Sequence, residues 1–361
     1  MNLTKSQLAA LDHFTHCGRE QRDWALKWLS DILYQSDIAP ERFDQTVAKL
    51  KSHARVGLHF HPDRPDPDLK PVAQALLEQG IYRNQFVTKM SSGGETAYSG
   101  GERDRWEDKL FGGAYHNNET SDEERPKYGA LDLMLHPDGP SPRFGCCFLL
   151  LKPEVSTRTT FTYLDSSHSG SNGTYKAFDG ILAAMMKDAF FSDFAIGERN
   201  LTTGRLVEHL FTELEQPFKD PSGREANRNL NHYIEAQVHG DVCLRTDADI
   251  MVVDPSFKNT HIGEVLEEVC SEYSIDCFWH MGFTLPADEV PSDFRGPVMP
   301  PFATHVAIDG RVDPRVIGSA AMDLGRNPSE WSNWGDPRKV RGLLKYLWHV
   351  LVRYGGPFRS S

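Results

Sequence analysis

No uninterrupted apolar run in the 361 residues is long enough to cross a bilayer, and Met1 to Ser6 lacks the basic, apolar and small-residue regions of a secretory signal peptide. A soluble globular protein is expected, with no membrane partner. Positive charge is scarce: 39 Lys and Arg stand against 51 Asp and Glu, a net charge of -12. Binding to a nucleic-acid backbone rewards clustered cations, so no nucleic-acid partner is expected. The six cysteines (Cys17, Cys146, Cys147, Cys243, Cys270, Cys277) form no CxxC pair and no zinc spacing. They read as reduced and mostly buried, which fits action in a cytosol. No GxGxxG follows a strand, no Lys-Ser/Thr follows a glycine loop and no GxSxG surrounds a serine. Dinucleotide-binding doubly wound, P-loop and α/β-hydrolase chemistries are therefore not indicated.

The 39% hydrophobic content is ample for a buried core. Residues 1–53 read as helical, with Trp24, Trp28 and Ile32 at every fourth position and Phe43, Val47 and Leu50 at helical spacing. From Val56 the pattern turns to short strands, at Val56–Phe60, Leu131–Leu135, Gly145–Lys152, Thr159–Leu164, Tyr233–His239 and Asp249–Val253, with a helix at Pro71–Gln79 ended by Gly80. The irregular order predicts an α+β fold rather than a doubly wound one. Residues 54–285 are expected to form the core. Within it, residues 176–231 read as a helical insertion able to protrude as a target-recognition lobe. Residues 286–361 read as a helical C-terminal region ending in an amphipathic helix at Pro337–Tyr354.

Chemistry concentrates in four places. Glu235 sits in a short, strand-like run (Tyr233–Gly240) whose faces alternate from it. His59, His61 and Asp63 would share one face in extended geometry, as a metal site or polar pocket requires, although no later ligand cluster completes a metal set. Three Gly-Gly pairs between Ser91 and Tyr115 let backbone approach a ligand, while Trp106, Phe111 and Tyr115 among them indicate packing. The hydroxyl-rich run Thr159–Ser167 contains Asp165, which leaves a two-carboxylate site with Glu235 open.

Together His59–Arg64, Ser99-Gly100-Gly101, Leu110–Tyr115 and Glu235–Gly240 resemble motifs of the CteC-like family of ADP-ribosyltransferases. The resemblance runs from about Val56 into the C-terminal helices, through Asp254–Phe257 and Phe278–Phe283. It implies a poly(ADP-ribose) polymerase-like, split mixed β-sheet that grips NAD as substrate. It also implies a mono-ADP-ribosyltransferase using one Glu and one Asp. The family's named member is an effector that modifies a threonine of ubiquitin and blocks ubiquitination. By that likeness the partner would be ubiquitin, and the protein a secreted effector or toxin acting in a host cytosol. Carried over, Glu235 is the catalytic Glu and Asp63 the Asp, with Asp165 competing for that position. His61, Tyr82, Asn84, Ser99, Tyr163, Asp165 and Gln237 become candidates for holding the dinucleotide.

The first strand departs from the related transferases in not continuing into His-Gly or Arg-Gly. Gln237 follows Glu235, whereas arginine-specific enzymes place an acid or Gln before the catalytic Glu, so a hydroxyl acceptor is expected. Two other readings remain: a metal-dependent hydrolase built on His59, His61 and Asp63, and a non-catalytic module that grips a partner protein.

Overall fold

The computed structural model describes residues 3–89, 97–117, 120–166 and 170–358. The fold is mixed α+β. Its sheet strands are β1 (Arg55–Phe60), β2 (Lys127–Asp132), β3 (Cys147–Leu151), β4 (Thr159–Tyr163), β5 (Asn172–Gly173), β6 (Ile234–Val238), β7 (Ala248–Val253) and β8 (Asp276–Trp279). They form one sheet in the order β8-β7-β3-β1-β2-β6-β4-β5. Only the β7–β8 pairing is parallel, so the sheet is mixed.

Helices of eight or more residues are α1 (Lys5–Glu20), α2 (Arg22–Gln35), α3 (Pro40–His53), α4 (Val72–Gln79), α5 (Glu102–Leu110), α6 (Asp179–Ser192), α7 (Thr203–Thr212), α8 (His261–Tyr273), α9 (Met299–Val306), α10 (Pro314–Arg326) and α11 (Pro337–Tyr354). Their ends follow capping chemistry: Thr4 forms a capping box on α1, Gly80 ends α4 in the left-handed region, and Asp336 caps α11. None of the described helices is long and apolar enough to cross a membrane.

Register divides the sheet into two chemically different faces. Val56 pairs with Leu131, Leu58 with Leu149, Leu149 with Met251 and Phe161 with Ala236, and all of these enter the large core that the helices cover. On the other face Glu235 lies opposite Ala130 and Thr162, and Gln237 opposite Tyr128 and Thr160. A period of two therefore puts every polar side chain of β6 on the face opposite the large core.

Helix α6 does not stand apart as a lobe. Ile181, Leu182, Met185, Met186 and Ala189 are buried in the same core as Leu347 and Leu351 of α11. A helix that is apolar round most of its circumference has no solvent face to present, and this places it inside the fold. Strand β2 starts at Lys127 rather than Leu131, a shift that brings Tyr128 onto the polar face.

Gly145 precedes β3 and lies against β1, where a Cβ would sit 2.4 Å from the backbone N, C and O of Phe60. Backbone atoms on that side cannot yield as a flexible side chain could. Gly145→Ala is expected to cost about 1–3 kcal/mol or more through overpacking, read as a lower urea midpoint with an unchanged slope.

Candidate functional site

Glu235 is on β6, flanked by β2 and β4, and its carboxylate lines a cleft of about 670 Å³. That volume is in the range of small-molecule and cofactor sites. The side chain is only 6% exposed, so it is not the solvent-facing residue of an edge strand. Ser166 Oγ donates to its Oε1, and Gln237 Nε2 donates to the same oxygen at 2.9 Å. Among the described residues Oε2 accepts no hydrogen bond, which leaves it available to a ligand. Burial, and next the charge of Asp165, push the Glu235 carboxyl up to about 7, against the partial relief of the Ser166 and Gln237 bonds.

Gln237 is itself held. Its Oε1 accepts from Thr160 Oγ1 at 2.8 Å, which orients its NH2 toward Glu235. Thr160 also contacts His239 Nε2 at 3.0 Å, and His239 Nδ1 meets the Tyr115 hydroxyl. Burial holds His239 down to about 3, so the ring is neutral and this ladder carries no competing charge. Gln237 thus fixes the carboxylate from below and does not line the cleft.

The opposite wall comes from α5. Arg103 and Trp106 are three apart on that helix and both line the cleft with Tyr128. The Arg103 guanidinium lies 5.0 Å from the Trp106 ring centroid and 4.7 Å from that of Tyr128. Its Nη1 is buried and has no hydrogen-bond partner among the described residues. Trp106 Nε1 donates to Ser166 O at 3.2 Å, tying this wall to the serine that holds Glu235. Helix α5 is anchored beneath by Arg125, which pairs with Asp104 and, at 3.0 Å, with Glu107, while Tyr128 donates to Glu107 at 2.8 Å.

Charge in the cleft opposes that of the chain. Seven Lys and Arg (among them Arg64, Arg83, Arg103, Lys127 and Arg143) line it against four Asp and Glu, on a protein whose net charge is -12. Such a concentration of cations draws in an anionic ligand. The aromatic walls suit a flat ring.

Residues 55–354 match the model of DUF3626, a family of proteins of unknown function. The chain belongs to that family. It matches no curated protein. Every residue lining the cleft falls within the matched segment, and α1 to α3 precede it.

The expected site residues divide into those the fold brings together and those it does not. His61, Tyr82, Asn84 and Asp165 line the cleft with Glu235. Tyr82 donates to His59 O at 3.1 Å, and Asn84 spends its side chain capping the turn at Gln85–Thr88 and bonding to Asp122 and Arg125 carbonyls. Asp63 is displaced from its expected place beside Glu235. It lies past the end of β1, lines an adjoining cavity, and packs so closely on α10 that a Cβ on Gly318 would overlap its carboxyl. Asp165 holds the neighbouring position instead. Tyr163 is on the opposite face of the sheet, where its hydroxyl donates to Asp188 of α6 at 2.6 Å. Ser99 is exposed in the turn before α5 and does not reach the cleft.

His59 has both ring nitrogens engaged, Nδ1 with Gly145 O at 2.9 Å and Nε2 with Ser141 N at 3.2 Å. It has no lone pair for a metal, and among the described residues no three His, Cys, Asp or Glu are grouped to hold one. The first Gly-Gly pair lies outside the described residues, whereas Phe111 and Tyr115 pack against Ala10 and Phe14 of α1. Arg103, Tyr128 and Arg143 were not anticipated, and Trp106, expected only to pack, lines the cleft. The spacing of Arg103 and Trp106 on one helical face was the available signal.

A carboxyl held above its ordinary 4.5 favours the folded state at low pH and loses that contribution as pH rises through about 7. Glu235→Gln is therefore expected to gain stability over the wild type at pH 8 and to gain less or none at pH 4, measured by urea unfolding at both.

Proposed function

We propose that the cleft binds NAD and that Glu235 drives cleavage of its nicotinamide–ribose bond, with ADP-ribose passed to a hydroxyl of an acceptor protein. The observation that carries this reading is the buried Glu235 carboxylate, one oxygen of which accepts no hydrogen bond among the described residues, on the floor of an aromatic cleft in which cations outnumber acids. Cations suit the diphosphate, and Trp106 and Tyr128 suit the pyridine or adenine ring. As nicotinamide leaves, positive charge builds on the ribose. A fixed carboxylate that accepts from a ribose hydroxyl stabilises that charge.

Asp165 assists by position. Its charge near Glu235 raises the proton affinity of Glu235, and it lies where it can accept the proton of an incoming hydroxyl. The Asp of the proposed pair is therefore Asp165 rather than Asp63. DUF3626 is a family of unknown function, so the chemistry rests on this geometry and on the motif resemblance to CteC-like transferases. Ubiquitin threonine is the acceptor which that resemblance suggests, and water in place of the acceptor would make the same site an NAD glycohydrolase.

Nicotinamide release and intact mass of ubiquitin after incubation with NAD provide the test. Glu235→Gln is expected to lower the rate by about a hundredfold to a thousandfold, the size of losing one charge-stabilising group. An unchanged rate would refute the role of Glu235. Because the active form is the ionised one, kcat/KM should rise with pH through about 7 and flatten above it. Asp165→Asn removes a neighbouring negative charge, so the rising limb should move to lower pH. No nicotinamide released by the wild type at any pH, with or without ubiquitin, would sink the reaction itself.

A further inference from the structure

Beside the cleft is a second cavity of about 280 Å³, enclosed between the segment after β1 and helices α10 and α11. It shares His61, Arg64, Asp66, Arg143, Phe144 and Lys345 with the cleft, so the two adjoin, but it does not contain Glu235 or Asp165. Its charged lining is Arg64, Lys89, Arg143, Arg338, Arg341 and Lys345 against Asp63 and Asp66. Two of the cations also meet acids outside the cavity lining, Lys89 with Asp122 at 3.0 Å and Arg143 with Asp165 at 3.7 Å. Burial and the nearby Asp313 and Asp254 keep Asp63 well above its ordinary range, and Asp66 spends Oδ1 on the backbone amides of Asp68 and Lys70.

The cations also lie close enough to repel one another. Burial and then Arg341 bring Arg64 down to about 10, and Lys345 is lowered by burial and by Arg143, Arg295 and Arg64. Arg143 Nε is buried and has no hydrogen-bond partner among the described residues. Like charges gathered at a cavity are stabilised when an anion binds among them, and guanidinium groups match phosphate oxygens in pairs. Ile317, Ala321, Leu344 and Trp348 supply an apolar wall for the body that carries the anion.

We propose that this cavity is a phosphate-binding site, taking a phosphoryl or diphosphoryl group with a small apolar body attached. The assignment does not depend on the reaction at Glu235. The probes are inorganic pyrophosphate and AMP, titrated calorimetrically into the full chain at low and at raised salt. Saturable binding is expected, weakening with salt, and weakened about tenfold or more in the double variant Arg338→Gln, Arg341→Gln, which removes two charge-assisted contacts. Circular dichroism and thermal midpoint check that this variant folds. Arg103→Gln, in the cleft alone, should leave pyrophosphate binding intact.

Competition with ADP-ribose distinguishes the source of the phosphate. Displacement of pyrophosphate identifies the diphosphate of a dinucleotide that reaches across both cavities, and simultaneous binding identifies a separate phosphorylated ligand. Absence of saturable binding at millimolar probe would overturn the proposal, as would loss in Arg103→Gln with full retention in the double variant.

Discussion

A carboxylate taken out of water in the middle of a sheet is the constraint around which this molecule is arranged. Desolvating Glu235 is costly, and two donors to one oxygen recover only part of that cost, as its raised proton affinity shows. Each donor is in turn fixed. Gln237 is oriented by Thr160, and Ser166 lies in the segment whose carbonyl receives Trp106. The wall that carries Trp106 depends on Arg125, whose two acidic partners leave it no net charge of its own to spare. Deleting Arg125 would strand Glu107, which is fully buried, and such a broken ion pair is strongly destabilising.

The second constraint is the contrast between total and local charge. Net charge speaks only to partners that need an extended cationic surface. Within the cleft and its neighbour the sign reverses, because Arg64, Arg143 and Lys345 come from three distant parts of the chain and meet only in the fold. A confined concentration of cations on an acidic chain favours an anion small enough to enter it.

What could be read from the residues follows the range of the forces concerned. The helical character of residues 1–53, strand β1, the stop at Gly80 and the amphipathic α11 are set by local periodicity and capping; the last three were legible within a residue or two, whereas the division of the first into α1 to α3 was not read. Glu235 was legible for the same reason, since period two on a short strand decides its face. Its partner was not. The motif resemblance placed it at Asp63, after the first strand, but β1 ends at Phe60 and the chain turns, which carries Asp63 toward α10. Tyr163 failed by one residue of register, since Thr162, not Tyr163, lies opposite Glu235. Helix α5 was hidden in a glycine-rich stretch, and with it went Arg103 and the cleft-lining place of Trp106. Non-local pairing of β2 with β6 placed Tyr128, and no local pattern encodes that pairing.

The helices ahead of the family segment bear on the site through a chain of contacts. Phe14 of α1 packs on Phe111 with ring centroids 5.5 Å apart, and Phe111 meets His239 edge-on at 5.6 Å. His239 is the far end of the ladder that passes through Thr160 and Gln237 to Glu235. Removing α1 would open the pocket around the neutral imidazole to water, and a hydrated imidazole is free to protonate. A charged His239 would then donate from both ring nitrogens and compete for the acceptor positions that orient Thr160 and Gln237. The N-terminal helices are therefore the dry backing of the carboxylate's support, even though they contribute no residue to the cleft.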